Sequence, residues 1–303
     1  MSKKFQDLDL SNAYLFAAAM QDEEACRLVL QTIIGKDIQK VKVHAEHTMF
    51  YSTDYKSVRL DIYAKDALEV SYDIEMQNED KKNLAKRSRF YQAEMDITSL
   101  KPGEDYTNLK PSYIVFICTF DPFGKQMYRY VFEPYCKEAD VCLNDETRRI
   151  FLNTKGKNKA DVPEELIHFL QYVENSTDEV VEKNDDETVR YLHNRVQSLK
   201  RDRTLEVGYM YLQEFLDDQI EAAVEAAVEA AVEAAVEAAV EAAVEKTKIE
   251  GKIESIMEFL TDIEEVPEDI KDKIQKEHDI QILSKWMKLA AKVESIEDFI
   301  AQM

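Results

Sequence analysis

Residues 59 to 77 restrict the fold most, because apolar and polar side chains alternate through two short segments joined by a polar break. Strict alternation is typical of half-buried strands, in which side chains two positions apart share a face. The first segment therefore places Asp61 on the face opposite Ile62, and the second places Glu75 and Gln77 together on one face. This pattern predicts a β-hairpin that sets Asp61 beside Glu75 and Gln77.

The polar side chains of this hairpin predict a site for a hard divalent cation. Adjacent carboxylates repel each other and are costly to bury unless a proton or a cation lies between them. The carboxylates of Asp61 and Glu75, with the main-chain carbonyl of Met76, provide oxygen ligands suited to Mg²⁺ or Mn²⁺. The alternative is a structural hairpin whose acids face solvent, and alternation alone favours that plainer interpretation.

Four pieces of the sequence resemble, in their order, a known nuclease family. They are Arg59-Leu60-Asp61-Ile62, Tyr72-Asp73-Ile74-Glu75-Met76-Gln77, Lys86-Arg87-Ser88-Arg89-Phe90-Tyr91 and Leu100-Lys101-Pro102-Gly103-Glu104-Asp105-Tyr106. Asp61 followed by Glu75-Met76-Gln77 resembles the PD-(D/E)XK motif. The flanking pieces resemble the Rpn-type recombination-promoting nucleases, also named PD-(D/E)XK family transposases. The resemblance extends over residues 5 to 215 and, more weakly, over the C-terminal part.

This resemblance implies a restriction-endonuclease-like fold of the α/β (α+β) class, with a central mixed sheet flanked by helices. It implies a metal-dependent endonuclease that hydrolyses phosphodiester bonds of DNA and is linked to recombination, mobile elements or defence. Asp61, Glu75 and Gln77 would be catalytic, and Asp61, Glu75 and the Met76 carbonyl would hold Mg²⁺ or Mn²⁺. A helix predicted over residues 78 to 100 would hold phosphate through Lys86, Arg87, Arg89 and Gln92. The alternative for this helix is a surface role with salt bridges.

Gln77 departs from the family pattern, which has lysine at this position. A neutral amide orients water or phosphate, but it supplies neither a positive charge nor a proton. The rate and the metal stoichiometry are therefore open. The alternative function is a catalytically weak or inactive nuclease-fold protein that serves as an interaction or assembly module. Gln77 and the acidic composition favour that alternative, whereas the intact Asp61 and Glu75 favour the enzyme.

The net charge of −22 over 303 residues argues against binding nucleic acid over a broad surface. Residues 221 to 303 contain nine lysines against 21 acidic residues, so −12 lies there and −10 remains for residues 1 to 220. DNA would therefore meet a local basic patch such as Lys86, Arg87 and Arg89, and RNA is equally admissible because no feature identifies the sugar. Taken alone, such a cluster is more typical of a solvated helix face.

The cysteines and the apolar runs indicate a reduced cytoplasmic protein. The four cysteines have neither zinc-site spacing nor the density of a disulfide framework. The longest apolar runs have the length of strands, so neither a membrane span nor a signal peptide is expected.

Further along the chain, residues 112 to 120 form a continuous apolar run that predicts a central strand buried on both faces. Residues 142 to 152 predict an edge strand. From Glu221 to Val244 the tetrapeptide Glu-Ala-Ala-Val occurs six times, which predicts an uninterrupted helix. Its valine stripe advances about 40° with each repeat on a straight helix, so it does not form a left-handed heptad seam.

These segments predict three parts. Residues 1 to 180 would form the nuclease-like core, and residues 181 to 248 a long helix in which the repeat acts as a spacer. Residues 249 to 303 would form a small helical module. The long helix and this module would also provide the surface for a homodimer, since cutting two strands commonly needs two sites.

Overall fold

The computed structural model of the chain describes residues 3–45, 48–49, 58–59 and 62–303. These residues form a mixed α/β structure in two compact units, Met1–Glu214 and Phe215–Met303. The predicted fold class is therefore confirmed. The three-part division inferred from the sequence stays a prediction.

The first unit combines helices with a six-stranded sheet. Its helices are α1 (Ala13–Met20), α2 (Glu23–Ile34), α3 (Leu84–Ser99), α4 (Glu164–Glu174), α5 (Asp178–Asn184), α6 (Glu187–Lys200) and the start of α7 (Arg203–Thr261). Its strands are β1 (Val41–Ala45), β2 (Thr48–Met49), β3 (Val58–Arg59), β4 (Ile62–Asp66), β5 (Ser71–Gln77), β6 (Ser112–Cys118), β7 (Arg129–Phe132), β8 (Tyr135–Cys136), β9 (Val141–Cys142) and β10 (Thr147–Asn153). The small strands pair as β2 with β3 and β8 with β9.

The main sheet is mixed, as predicted, and its strand order is β1-β4-β5-β6-β10-β7. Strands β1, β4 and β5 are antiparallel neighbours, β6 runs parallel to both β5 and β10, and β7 closes the order antiparallel to β10. The motif strand β5 and the buried strand β6 are therefore central.

The predicted edge position of residues 142 to 152 is wrong. The main strand of this segment, β10, lies inside the sheet between β6 and β7. Its first three residues are partly exposed, which gives the segment the polar start of an edge strand. The last four, from Ile150 to Asn153, are buried and complete the interior of the sheet.

The hairpin of β4 and β5 forms as predicted, with Ile62 opposite Ile74. Asp66 closes its turn, because Oδ1 accepts hydrogen bonds from the amides of Leu68 at 2.8 Å and Val70 at 3.0 Å. The helix α3 begins at Leu84, six residues after its predicted start at residue 78. The preceding segment is held by Asp80, whose carboxylate accepts from the Lys82 amide, and Lys82 has a φ of 55°.

The two faces of the sheet contact different helices. On β5, the side chains of Tyr72, Ile74 and Met76 join the large core formed with α1, α2, α4 and α6. The other face packs against α3, where Phe116 and Met95 belong to a smaller cluster. The predicted division of β5 into two alternating faces is thus confirmed, but the expected half-burial is wrong, because both faces of β5 are buried.

The second unit is helical. It contains the remainder of α7, α8 (Glu268–Gln275), α9 (Ile280–Ala290) and α10 (Ile296–Gln302). Its core includes Leu260, Trp286 and Phe299. The repeat is helical throughout, as predicted, and all six of its valines are exposed. Within the described part of the chain, no helix combines the length and apolarity needed to cross a membrane.

Candidate active site

The α3-facing side of β5 carries three polar residues, Asp73, Glu75 and Gln77. Asp73 and Glu75 are both fully buried, with 0% exposure, and Gln77 is partly buried. Glu75 lies beside Phe116 in the register of β5 and β6. One face of this central strand therefore buries two carboxylates, and the opposite face buries apolar side chains.

Glu75 is at the centre of a compact polar group. Its Oε2 accepts a hydrogen bond from Gln77 Nε2 at 3.2 Å and forms an ion pair with Arg87 Nη2. The side chains of Glu75 and Gln77 thus converge, as their spacing on one strand predicts. The burial of this carboxylate is tolerated because the Arg87 cation and the Gln77 donor compensate it.

Arg87, from the first turn of α3, touches both of these side chains. Its Nη1 donates to Gln77 Oε1 at 3.0 Å, and its Nε donates to the hydroxyl of Tyr91 at 2.8 Å. Burial by itself lowers the pKa of Arg87, but the attraction of Glu75 and Tyr91 outweighs it and raises that pKa. The guanidinium therefore remains a fixed positive charge.

Two aromatic rings confine the guanidinium. Its central carbon lies 5.2 Å from the ring centre of Tyr91 and 5.4 Å from that of Phe116. Both distances are within the range of cation–π attraction. Burial, followed by the proximity of Glu75, raises the pKa of Tyr91, so its hydroxyl stays protonated. Sequence reasoning missed Phe116, because the register of β5 with β6 is set by strands far apart in the chain.

Asp61, the predicted partner of Glu75, lies outside the described residues. Strand β4 begins at Ile62, the residue that follows Asp61, and Ile62 pairs with Ile74, the residue that precedes Glu75. The convergence of Asp61 with Glu75 stays a prediction.

The predicted phosphate-binding side chains occupy different environments on α3. Lys86 and Arg89 are exposed, whereas Arg87 is partly buried against Glu75. Gln92 is only 5% exposed, and its Nε2 donates to Ser112 Oγ and to Asp96 Oδ1. Lys86 and Arg89 are thus open to solvent, and Gln92 joins α3 to the sheet.

The side-chain oxygens of Glu75 and Gln77 are of the type that Mg²⁺ and Mn²⁺ prefer, but in this structure they contact Arg87. Glu75 Oε2 and Gln77 Oε1 already face one common cation, the guanidinium of Arg87. Each carboxylate oxygen has two lone pairs, so one guanidinium does not exhaust what a carboxylate accepts. Among the described residues, no group of three or more His, Cys, Asp or Glu side chains could hold a metal ion. The predicted metal site includes Asp61, which lies outside the described residues, and it stays a prediction.

Comparison with protein families places this geometry in context. The sequence model of the family described as PD-(D/E)XK nuclease family transposase matches residues 8–227. That range contains β4, β5 and α3 with all predicted site residues. Neither the curated proteins nor the solved structures include a match to the chain.

Proposed function

Because the chain belongs to the PD-(D/E)XK nuclease family transposases, we propose that it is a Mg²⁺-dependent endonuclease that hydrolyses DNA. Membership supports a nuclease-type function with a nucleic acid as substrate, and nucleases of this superfamily generally use divalent metals. The observation that carries the proposal is the fully buried carboxylate of Glu75, which shares one face of β5 with Gln77.

The burial of Glu75 is informative because a charged side chain in a central strand costs stability. An apolar residue at this position would pack against Phe116 without that cost. A carboxylate held with compensating partners, on the strand that carries the family motif, is typical of a functional site. The proposal therefore rests on chemistry as well as on the family match.

We assign the metal to Asp61, Glu75 and the carbonyl of Met76, with Mn²⁺ as an alternative ion. When bound, such an ion supplies Lewis-acid polarisation of the phosphate and an acidified water. Hydrolysis would add water to phosphorus and break one P–O bond to a sugar. One product ends in phosphate, and the other gains the proton and ends in a hydroxyl.

The exposed side chains of Lys86 and Arg89 support contact with the DNA backbone. They lie on the same helix as Arg87 and so belong to the element that flanks Glu75. Such contacts neutralise phosphates and make binding weaken as salt increases. The roles in recombination, mobile elements or defence, the cytoplasmic location and the homodimer formed through α7 and the C-terminal helices stay predictions.

Plasmid DNA and a single-stranded RNA, each incubated with the full chain and Mg²⁺, test this function. We expect cleavage of the DNA that EDTA abolishes. Asp61→Asn and Glu75→Gln should each reduce the rate by at least about 100-fold, since each removes a charge that holds the ion. A matched control is Glu79→Gln, just beyond β5, whose side chain is 79% exposed and whose loss should leave the rate unchanged.

The outcomes separate the enzyme from the alternative interaction module. Calorimetric titration with Mn²⁺ should show binding to the wild-type chain that Asp61→Asn weakens. A wild-type chain that neither cleaves nucleic acid nor binds Mn²⁺ would support the non-enzymatic module. Cleavage of RNA alone would correct the substrate class while retaining the reaction.

A further inference from the structure

A cleft of about 480 Å³ opens where β7, the last strand in the sheet order, meets the end of α2. This volume is within the roughly 300–1,000 Å³ typical of small-molecule sites. The described side chains that line the cleft combine arginines, tyrosines and aliphatic residues. They include Arg129, Arg148, Tyr113, Tyr135, Val131 and Ile34.

The cleft lies on the sheet face opposite to the candidate active site. Tyr113 belongs to the large core on the side of α1 and α2, whereas Glu75 lies beside Phe116, which belongs to the cluster on the α3 side. A ligand in the cleft would therefore not occupy the place of a group bound at Glu75. The cleft is a second, separate candidate site.

Arg129 brings a cation without an acidic partner into the cleft. Its Nη1 donates to the carbonyl of Ile33 at 3.2 Å, and no carboxylate among the described residues forms an ion pair with it. A guanidinium has five N–H donors, so most of them remain for a ligand. Arg148, by contrast, is paired with Glu133. Two arginines and one glutamate leave a positive charge in a chain of net charge −22, so the cleft favours an anion.

The same cleft offers flat and apolar surfaces. The guanidinium of Arg148 lies 5.9 Å from the ring centre of Tyr113, and that ring stacks on Tyr72 with 5.4 Å between ring centres. Tyr135 is 51% exposed and Val131 is 47% exposed. Aromatic rings and guanidinium planes are the surfaces on which unpaired nucleobases stack. The lining therefore suits a planar group as well as an anion.

We propose that this cleft binds a single nucleotide unit, with its phosphate at Arg129 and its base against Tyr135 and Arg148. An inorganic anion would use the arginine alone, and an apolar ligand would leave the arginine without a partner. A nucleotide joins a flat base to a phosphate and so matches both parts of the lining. The unit is either a free nucleotide or an unpaired nucleotide of a DNA strand, since both present the same base and phosphate.

Calorimetric titration of the full chain with dAMP in EDTA tests this site without any need for cleavage. EDTA removes the divalent ions through which the site at Glu75 would hold a phosphate. We expect saturable binding with a Kd below about 1 mM. Deoxyadenosine and inorganic phosphate, which are the two halves of the ligand, should each bind at least about tenfold more weakly.

Two substitutions separate the contributions of phosphate and base. Arg129→Gln removes the charge that meets the phosphate, so it should weaken dAMP at least about tenfold and leave deoxyadenosine unchanged. Tyr135→Leu removes a stacking surface, so it should weaken both dAMP and deoxyadenosine at least about fivefold. Arg190→Gln, in a surface ion pair outside the cleft, and Tyr106→Leu, at a position that is 81% exposed, are the matched controls.

A second pair of variants keeps the test decisive if Arg129→Gln fails to fold, because Arg129 also holds the end of α2. Val131→Glu places a negative charge in the lining and should weaken dAMP at least about tenfold. Val131→Gln has a similar size without the charge and should retain most of the binding. Thermal denaturation identifies the variants that do not fold.

A short single-stranded oligodeoxyadenylate distinguishes the two sources of the nucleotide unit. If dAMP displaces it and Arg129→Gln weakens it, the cleft takes an unpaired unit of a DNA strand. If Arg129→Gln weakens dAMP alone, the ligand is a free nucleotide. Both results support a nucleotide site.

Three results would overturn the proposal. They are the absence of saturable dAMP binding, inorganic phosphate that binds as tightly as dAMP, and dAMP binding that persists in folded Arg129→Gln and Val131→Glu chains. The second would make the cleft a site for anions only, and the third would place the nucleotide elsewhere. A wild-type chain that binds dAMP but does not cleave DNA would refute the nuclease function and leave this site intact.

Discussion

Alternate residues of β5 form two buried faces of opposite character, one apolar and one polar. Tyr72, Ile74 and Met76 enter an apolar core, where each side chain gains free energy by leaving water. Between them, Asp73 and Glu75 are buried to the same degree and must offset the loss of hydration through polar contacts. One face therefore stabilises the unit, and the other retains costly groups that a purely structural strand would not need.

The largest stability effect should come from the apolar face. Ile74→Ala removes a fully buried side chain at the centre of the sheet and should lower the free energy of unfolding by about 2–5 kcal/mol. The single tryptophan, Trp286, lies in the second unit, so hydrogen exchange of β5 and β6 amides in urea is the suitable measurement.

The control for this comparison is Ile97→Ala on α3, where the side chain is 54% exposed and should contribute less than about 0.5 kcal/mol. The cleavage rate per folded molecule should be unchanged in Ile74→Ala. A rate loss with an intact fold would contradict the division of roles between the two faces.

A second substitution tests how tightly the apolar side is packed. A Cβ at Gly156 would lie 2.4 Å from Tyr128 Cγ and 2.6 Å from Tyr128 Cα, and the latter is backbone that cannot rotate away. Gly156→Ala should therefore destabilise the first unit by about 1–3 kcal/mol in the same exchange measurement.

Gly251→Ala provides the opposite case, because a Cβ there meets nothing within 4 Å and the residue lies inside α7. It should stabilise the helix by roughly 0.8 kcal/mol, since alanine is the better helix former. If Gly156→Ala were equally well tolerated, the packing around Tyr128 would be looser than the structure indicates.

The sequence predicted the parts of this comparison that depend on near neighbours. Alternation assigned the two faces of β5, because side chains two positions apart on a strand share a face. The interior place of β10 was not predictable, because strand order depends on pairings between distant segments. The Arg87–Glu75 pair is an intermediate case: both residues were chosen from the sequence, but the rotation of α3 against β5 is a tertiary property.

A smaller effect is expected from the polar face. Tyr91→Phe removes the hydroxyl that accepts from Arg87 Nε and keeps the ring beneath the guanidinium. Because Arg87 is partly exposed and can turn this donor to water, we expect a loss of only about 1 kcal/mol in stability. Tyr106→Phe, at a position that is 81% exposed, is the matched control and should have no effect. A loss as large as that of Ile74→Ala would make the polar face a principal source of stability.

The smallest effect concerns Asp96, which accepts a hydrogen bond from the buried Gln92. Burial raises the pKa of Asp96, helped by Asp145 and opposed by the Gln92 hydrogen bond and Arg149. The folded state therefore binds this proton more readily than the unfolded state does, and stability decreases as pH rises from the unfolded pKa through the folded one. Asp96→Asn keeps the Oδ1 acceptor and removes the charge, so it should raise the melting temperature slightly at pH 7.

This advantage should disappear as pH falls below the unfolded pKa of aspartate, where both chains are neutral at position 96. Asp105→Asn is the control of opposite sign, because hydrogen bonds from Thr107 lower the pKa of Asp105 and so favour its charged form in the folded state. Its substitution should not stabilise the protein at pH 7. If Asp96→Asn were instead less stable than the parent at pH 7, the charged form of Asp96 would be favoured by folding. The hydrogen-bond and ion-pair partners on the α3 side would then stabilise the charged carboxylates more strongly than the comparison of the two faces of β5 indicates.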